Sequence, residues 1–257
     1  MNILCIGDIV GTPGCRHLMD RLPALKREKQ IDAVIANGEN AADGNGITPT
    51  TARHIFDSGV DVITLGNHTF RRPEIQDYLD STEYILRPDN FPKGAPGKGV
   101  CVLDMGRVRI CVINLIGQMY MDSFESPFDR MDEILSDRNL PKIKILDFHA
   151  EATGEKRALG FYLDGRISAM FGTHTHVQTA DECFLPHGTA YISDVGMTGT
   201  VNSVLGVKSE LVIRKLRTKL PVRFDYEQEG QVKMDCVMFT CDEKTGKCTR
   251  IERMSVR

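Results

Sequence analysis

The chain has no apolar run approaching the roughly 20 residues that a membrane-spanning helix needs. Its start, Met1-Asn2-Ile3-Leu4-Cys5-Ile6-Gly7-Asp8, lacks the basic region and long apolar segment of a signal peptide and reads as a first β-strand. Excess basic charge is missing too. Thirty-two Lys and Arg stand against 35 Asp and Glu, and the formal net charge of −3 argues against a protein that coats nucleic acid. Any phosphate is therefore expected to be met locally, at a metal or a loop. The eight cysteines (Cys5, Cys15, Cys101, Cys111, Cys183, Cys236, Cys241, Cys248) contain no Cys-x-x-Cys pair. Several sit in apolar strands, where a thiol behaves as a small hydrophobe, so a reducing, cytoplasmic setting is the simplest expectation. Gly7 to Gly14 is glycine-rich after a strand, but lacks the Lys-Ser/Thr of a P-loop and the Gly-x-Gly-x-x-Gly of a dinucleotide site. Asp43 to Gly46 lacks the alternating carboxylates of a calcium loop.

What is present is an ordinary globular composition, 41% hydrophobic and 26% charged over 257 residues, enough for one large domain spanning 1–257. Strand-like and helix-like segments alternate, which predicts an α/β sandwich or doubly wound sheet. The spacing of Leu18, Leu22 and Leu25 predicts a helix over Gly14 to Lys29. Thr48-Pro49 reads as an N-cap with proline at the first helical position, opening a helix towards Ser58. Further helices are expected from Pro73 to before Tyr84 and from Pro127 to Ser136, and a long loop over Pro88 to Gly99. Strands are expected at Val100 to Leu103 and Val108 to Leu115. From Val232 to Met254 two β-rich runs split by Asp242 to Lys247 predict a hairpin, whose exposed edge leaves a homo-oligomer open. The basic stretch Arg214 to Lys219 reads as the solvated face of a helix buried through Ile213, Leu216 and Leu220.

Five polar clusters each follow a short apolar run. They are Gly7-Asp8, Asn37-Gly38-Glu39-Asn40, Gly66-Asn67-His68, Asp147-Phe148-His149 and Gly172-Thr173-His174-Thr175-His176. Strand C-terminal ends are where α/β sheets hold ligands. Asp, Glu, Asn and His delivered there without cysteine describe a hard-to-borderline dimetal site. Asp8 and Glu39 bring two negative charges, while Asn40, Asn67, His149, His174 and His176 are neutral as ligands. Two divalent ions would leave the site positive and open to an anionic phosphate. Gly38 is expected to ease the turn that sends both Glu39 and Asn40 inward. His174 and His176 would share a face if the strand continued. His68, beside Asn67, is free to handle protons. His17, His54 and His187 fall outside the pattern.

These residues resemble the calcineurin-like metallophosphoesterases, whose motifs run Asp…Gly-Asp…Gly-Asn-His…His…Gly-His-x-His. Two departures, Val10 where that superfamily carries histidine and Glu39-Asn40 in the second motif, are similar to the YmdB-type subfamily, as are Asp147 to Thr153 and Asp194 to Gly199. The resemblance implies a bacterial 2′,3′-cyclic-nucleotide phosphodiesterase with a di-iron centre. It implies that Asp8, Asn40 and His176 hold one metal and that Asn67, His149 and His174 hold the other, with Glu39 bridging and Asn40 replacing the histidine absent at Val10. Ligand chemistry alone also suits manganese or zinc.

The expected reaction is hydrolysis by a hydroxide activated between two metals, with His68 as general acid to the leaving ribose oxygen. The product from a 2′,3′-cyclic nucleotide would be a 3′-phosphate. The expected partner is a small phosphodiester, with no membrane and no strong nucleic-acid signal. A phosphomonoesterase or protein phosphatase on the same metals, and a nucleotide-sensing binding protein with little turnover, are the alternatives. The loops Asp43 to Gly46 and Pro88 to Gly99 are the candidate substrate contacts.

Overall fold

The computed structural model, described here for residues 1–122 and 124–257, is a four-layer sandwich of two β-sheets between helices. The first sheet carries, in order, β2 (Asp8–Ile9), β12 (Met197–Thr200), β13 (Val232–Cys241), β1 (Asn2–Ile6), β3 (Ala33–Asn37), β4 (Val62–Thr64) and β5 (Ile85–Leu86). β13 also pairs with β14 (Cys248–Val256), which completes the predicted hairpin. The second sheet runs β10 (Cys183–Phe184), β11 (Ala190–Ile192), β9 (Ala169–Thr173), β8 (Ile143–His149), β7 (Arg109–Ile116) and β6 (Val100–Asp104). Each sheet holds one run of parallel strands: β1, β3, β4 and β5 in one, β7, β8, β9 and β11 in the other.

Continuous apolar runs such as Ile3-Leu4-Cys5-Ile6 are what a strand covered on both faces requires. Successive side chains alternate faces. Ile3 and Cys5 enter the core between the sheets with Ile35, Val237, Ile145 and Phe171. Leu4 and Ile6 face the outer helices instead, packing with Leu18, Leu22 and Ile55. Those last residues belong to α1 (Gly11–Lys29) and α2 (Pro49–Asp57). On the far side, α4 (Pro127–Leu135) and α5 (Thr153–Tyr162) cover the second sheet through Met131 and Leu159.

Most boundaries fall where the sequence puts them. Thr48 caps α2: its hydroxyl accepts from Thr51 N at 3.2 Å while its own N–H donates to Thr51 Oγ1 at 2.9 Å. Two differ. α1 begins at Gly11 rather than Gly14, taking Pro13 into its first turn, where a missing N–H costs nothing. The predicted helix after Pro73 is a 3₁₀ turn, Pro73–Ile75, followed by the short α3 (Gln76–Ser81).

One expectation fails outright. α6 (Ser209–Thr218) forms, but none of its residues is buried. Ile213, Leu216 and Leu220, expected to anchor it, are 50%, 62% and 55% exposed. The periodicity that specifies a helix does not specify a surface for it to pack on.

Candidate metal centre

All five clusters sit at strand C-terminal ends, and both sheets deliver them to one place. Asp8 follows β1, Asn37 to Asn40 follow β3, Asn67 and His68 follow β4, His149 ends β8, and His174 and His176 follow β9. Asp8, Glu39, Asn40 and His149 are buried; Asn67, His68, His174 and His176 are partly so.

The contacts form two groups sharing Glu39. In the first, His149 Nε2 lies 3.1 Å from Glu39 Oε1, 3.0 Å from Asn67 Oδ1 and 3.0 Å from His174 Nδ1. One ring nitrogen carries at most one proton, so it cannot satisfy two oxygens and a second imidazole by hydrogen bonding. In the second, His176 Nε2 lies 3.6 Å from Asp8 Oδ1 and 3.2 Å from the Asn40 side chain, which itself reaches Glu39 Oε1 at 3.5 Å. His68 stands beside both groups. Its Nδ1 meets Asn40 Oδ1 at 2.8 Å, and its backbone N–H donates to Glu39 Oε2 at 3.0 Å.

Whether divalent ions fit this set is decided by what it leaves unmatched. Asp8 Oδ1 is fully buried without a hydrogen-bond partner among the described residues. Such an atom is costly unless something positive meets it. Ligand atoms of Glu39, His149 and His174 all lie within 4.8 Å of one another. The donor set is carboxylate, amide oxygen and imidazole, the set that iron, manganese and zinc accept. The residues fit.

The electrostatics of the two carboxylates agree. Burial works against the charged form of Asp8, yet His176 and the His174 N–H at 3.1 Å hold its carboxyl well below the usual range. Burial also opposes Glu39, and His149 and His68 outweigh it, lowering the carboxyl. Both carboxylates are thus anionic, as ligands must be. His149, despite burial, is pushed up to about 9 by Glu39, whereas burial and the neighbouring His149 bring His174 down to about 3.

Beneath these side chains lies a support network. His149 Nδ1 meets Thr173 Oγ1 at 2.9 Å, and that hydroxyl donates to Asp147 Oδ1 at 2.7 Å. Asp147 also accepts from Thr64 at 2.5 Å and from Asn37 at 3.4 Å. Orienting a ligand imidazole through its other nitrogen is a common property of metal histidines. A second network fixes the histidine turn. Lys156 Nζ donates to Asp194 Oδ2 at 2.8 Å and to Thr173 O at 2.9 Å, and Asp194 Oδ2 accepts from both N and Oγ1 of Thr175.

Two local expectations are corrected. β9 ends at Thr173, and His174 and His176 have φ of 100° and 62°, so they do not share a strand face. A left-handed turn held by Asp194 sends them to the two contact groups separately. Gly38 has no positive φ. It is required by space: a Cβ there would lie 2.8 Å from Ile63 Cγ2. Space is shorter still at Gly66, where a Cβ would come within 2.2 Å of His149 Cδ2 and 2.4 Å of Glu39 Oε2.

Sequence reasoning missed Lys156. A lysine on a helix reads as solvated, and nothing local in the sequence marks it as buried. It also missed the cavity of about 1160 Å³ beside His68, lined in part by Asp43 and Asn45. Of the two loops expected to contact substrate, Asp43 to Gly46 therefore reaches the site region. Asp89, Phe91 and Lys93 of the other line a separate cavity with Arg87 and Arg130. His17 meets Val256 O and His187 meets Asp164, both away from the site.

Comparison with known proteins gives a consistent set of relatives. A family model described as YmdB-like protein matches residues 4–254. A 2′,3′-cyclic-nucleotide 2′-phosphodiesterase of Bacillus subtilis (strain 168) is 45% identical over 258 residues, covering 100% of this chain and 97% of its own. A crystal structure of a hypothetical protein from Thermus thermophilus superposes with a TM-score of 0.94 at 38% identity, covering 99% of this chain and 98% of its own. One described as a novel phosphatase from Mycoplasma pneumoniae has a TM-score of 0.94 at 32% identity, covering 100% and 93%.

Proposed function

The chain belongs to the YmdB-like family, and from that premise we propose that it is a metal-dependent phosphodiesterase that opens 2′,3′-cyclic nucleotides to 3′-nucleotides. It is a hydrolase. The observation that carries the rest is the convergence of Asp8, Glu39, Asn40, Asn67, His149, His174 and His176 from two sheets around a buried carboxylate oxygen that has no hydrogen-bond partner among the described residues. We read residues 1–257 as one domain, since the core between the sheets draws on residues from Ile3 to Cys248.

Asp8, Asn40 and His176 would hold one ion, and Asn67, His149 and His174 the other, with Glu39 between them. When bound, two divalent ions supply the charge that acidifies water and neutralises a phosphoryl group. The protein's own part is orientation and proton handling. Thr173 fixes the ring of His149. Asp194 and Lys156 fix the turn bearing His174 and His176.

Hydrolysis forms one bond from phosphorus to a water oxygen and breaks the bond from phosphorus to ribose O2′. That oxygen departs as an alkoxide unless a proton reaches it. Our reading gives that proton to His68, and two contacts support it: its Nδ1 is engaged by Asn40 at 2.8 Å, which leaves Nε2 for substrate, and the residue lines the cavity.

Steady-state hydrolysis of 2′,3′-cyclic AMP by iron- or manganese-loaded protein tests this, with a chelated sample as control. His68→Ala should lower turnover by about 10²–10⁴-fold, with metal content unchanged. Loss of bound metal in that variant would contradict the role given to His68. Hydrolysis of monoesters but not of the cyclic diester would remove the substrate reading.

A further inference from the structure

The cavity beside His68 has a composition that the reaction on a cyclic mononucleotide does not use. Arg71 and Arg72 come shortly after His68, Lys215 comes from α6, and Arg223 from the segment that follows it. Against these four cations the lining holds two carboxylates, Asp43 and Asp225. Both are already engaged. Asp43 lies 3.5 Å from Arg72, and Asp225 is 2.7 Å from Lys208, outside the cavity. Arg71, Lys215 and Arg223 have no carboxylate within 4.0 Å among the described residues. Three like charges lining one cavity repel each other, and an anionic ligand relieves that. In a chain of net charge −3 this is a local concentration.

Two aromatics are interleaved with the cations. Phe224 is 37% exposed, with Lys215 Nζ 4.7 Å from its ring centroid. Tyr226 lies over Gly44, where a Cβ would come within 2.2 Å of its ring. Cations tracking a backbone beside stacking faces are the elements of single-stranded nucleic-acid grooves.

Direction decides what enters. His68 serves the ribose oxygen that leaves, so whatever is attached to that ribose lies on His68's side, and that side opens into this cavity. A free 2′,3′-cyclic mononucleoside phosphate ends there in a neutral 5′-hydroxyl, which gives the cations nothing to bind. A chain extending through that 5′ position supplies one phosphodiester charge per residue and a base for each aromatic. The volume of about 1160 Å³ lies above the roughly 300–1,000 Å³ of ordinary small-molecule pockets.

We infer that the cavity formed by Arg71, Arg72, Lys215, Arg223, Phe224 and Tyr226 makes this protein act on the 3′ ends of oligoribonucleotides carrying a 2′,3′-cyclic phosphate. This rests on the phosphodiesterase reading above and adds the substrate class. The bonds made and broken are those already given, and the product is an oligoribonucleotide ending in a 3′-phosphate.

Three substrates separate the possibilities: adenosine 2′,3′-cyclic phosphate, its 5′-phosphorylated form, and a diadenosine dinucleotide with a 2′,3′-cyclic end. The dinucleotide should exceed the unphosphorylated mononucleotide in kcat/KM by at least about tenfold, the scale of one or two charge-assisted phosphate contacts. The gain should lie mainly in KM. Arg71→Ala/Arg223→Ala should collapse that ratio, and Arg71→Lys/Arg223→Lys should retain much of it. Equal kcat/KM for all three, or a ratio untouched in the double alanine variant, overturns the inference. A 5′-phosphorylated mononucleotide as good as the dinucleotide overturns the oligonucleotide in favour of a nucleotide with one extra phosphate.

A second arm is independent of turnover: fluorescence anisotropy with a labelled trinucleotide ending in a 3′-phosphate. Binding should weaken with salt, and the slope of log affinity against log salt should fall by about 1 for each cation removed. If no diester is hydrolysed although metals are bound, the phosphodiesterase reading fails, and this arm still judges the cavity. Binding that ignores both salt and the alanine substitutions overturns it.

Discussion

The two walls of the reaction region are built on opposite plans. The wall of candidate metal ligands is made of strand ends whose side chains are buried or partly buried, in mutual contact and backed by Lys156, Asp194, Thr173 and Asp147. The facing wall is made of α6 and the irregular segment through Tyr226, where no residue of the helix is buried and the cations are exposed or partly so. Chemistry needs groups held to a fraction of an ångström. Recognition of a flexible anion tolerates rotamer freedom and depends on charge. Stability should therefore concentrate in the first wall and salt sensitivity in the second.

The sharpest way to break this contrast is at Lys156. The pair with Asp194 is fully enclosed, and removing one partner leaves a buried charge alone, which costs about 3–5 kcal/mol. Lys156→Met should lower the denaturant midpoint accordingly. It should also reduce metal content after dialysis, because Thr175 and the turn around it lose their anchor. Lys156→Met/Asp194→Asn should recover part of the stability. Near-native stability and metal content in the single variant would show that the turn holds itself.

How much of this was legible depended on which rule each residue obeys. The convergence of these side chains was legible because five polar clusters each ended an apolar run, and a run apolar on both faces marks a buried strand whose end lies at the sheet edge. Thr48-Pro49 was legible because capping is local. The geometry of His174-Thr175-His176 was not, since positive φ at a histidine is imposed from outside, here by Asp194, a contact some 20 residues away in sequence. Lys156 was hidden for a related reason: only the fold reveals that a carboxylate and a carbonyl await it inside. α1 and α6 look alike as amphipathic patterns, and nothing in either pattern states that one meets a sheet and the other does not. The basic lining of the cavity escaped because its cations come from two distant stretches, 71–72 and 215–223, each ordinary alone.

A smaller test sits on the ligand-wall side, at Asp181. Burial opposes its charged form, but hydrogen bonds from Ser193 Oγ at 2.5 Å, Thr179 Oγ1 at 2.7 Å and Ser193 N at 3.1 Å hold its carboxyl below the usual range. Because the folded form is depressed, its contribution is complete above the unfolded value of about 4 and disappears as pH falls through the folded one. Asp181→Asn should therefore destabilise by about 1 kcal/mol at pH 7. The difference from wild type should shrink in acid unfolding curves taken below pH about 4. A difference that stays constant across that range would mean the charge contributes nothing.

The least effect is expected where the sequence promised a large one. Leu22 in α1 is fully buried against the first sheet, and Leu22→Ala should cost about 2–5 kcal/mol through lost contacts and the cavity left behind. Leu216 sits at an equivalent place in the pattern of α6 but in water, so Leu216→Ala should change stability by less than about 0.5 kcal/mol. Equilibrium urea unfolding of the two variants side by side measures the contrast directly. A Leu216→Ala penalty above about 1 kcal/mol that fades on dilution of the protein would mean a second copy covers this helix in solution. A penalty independent of concentration would instead put α6 against its own chain, and the division between a rigid wall and an adaptable one would fall with it.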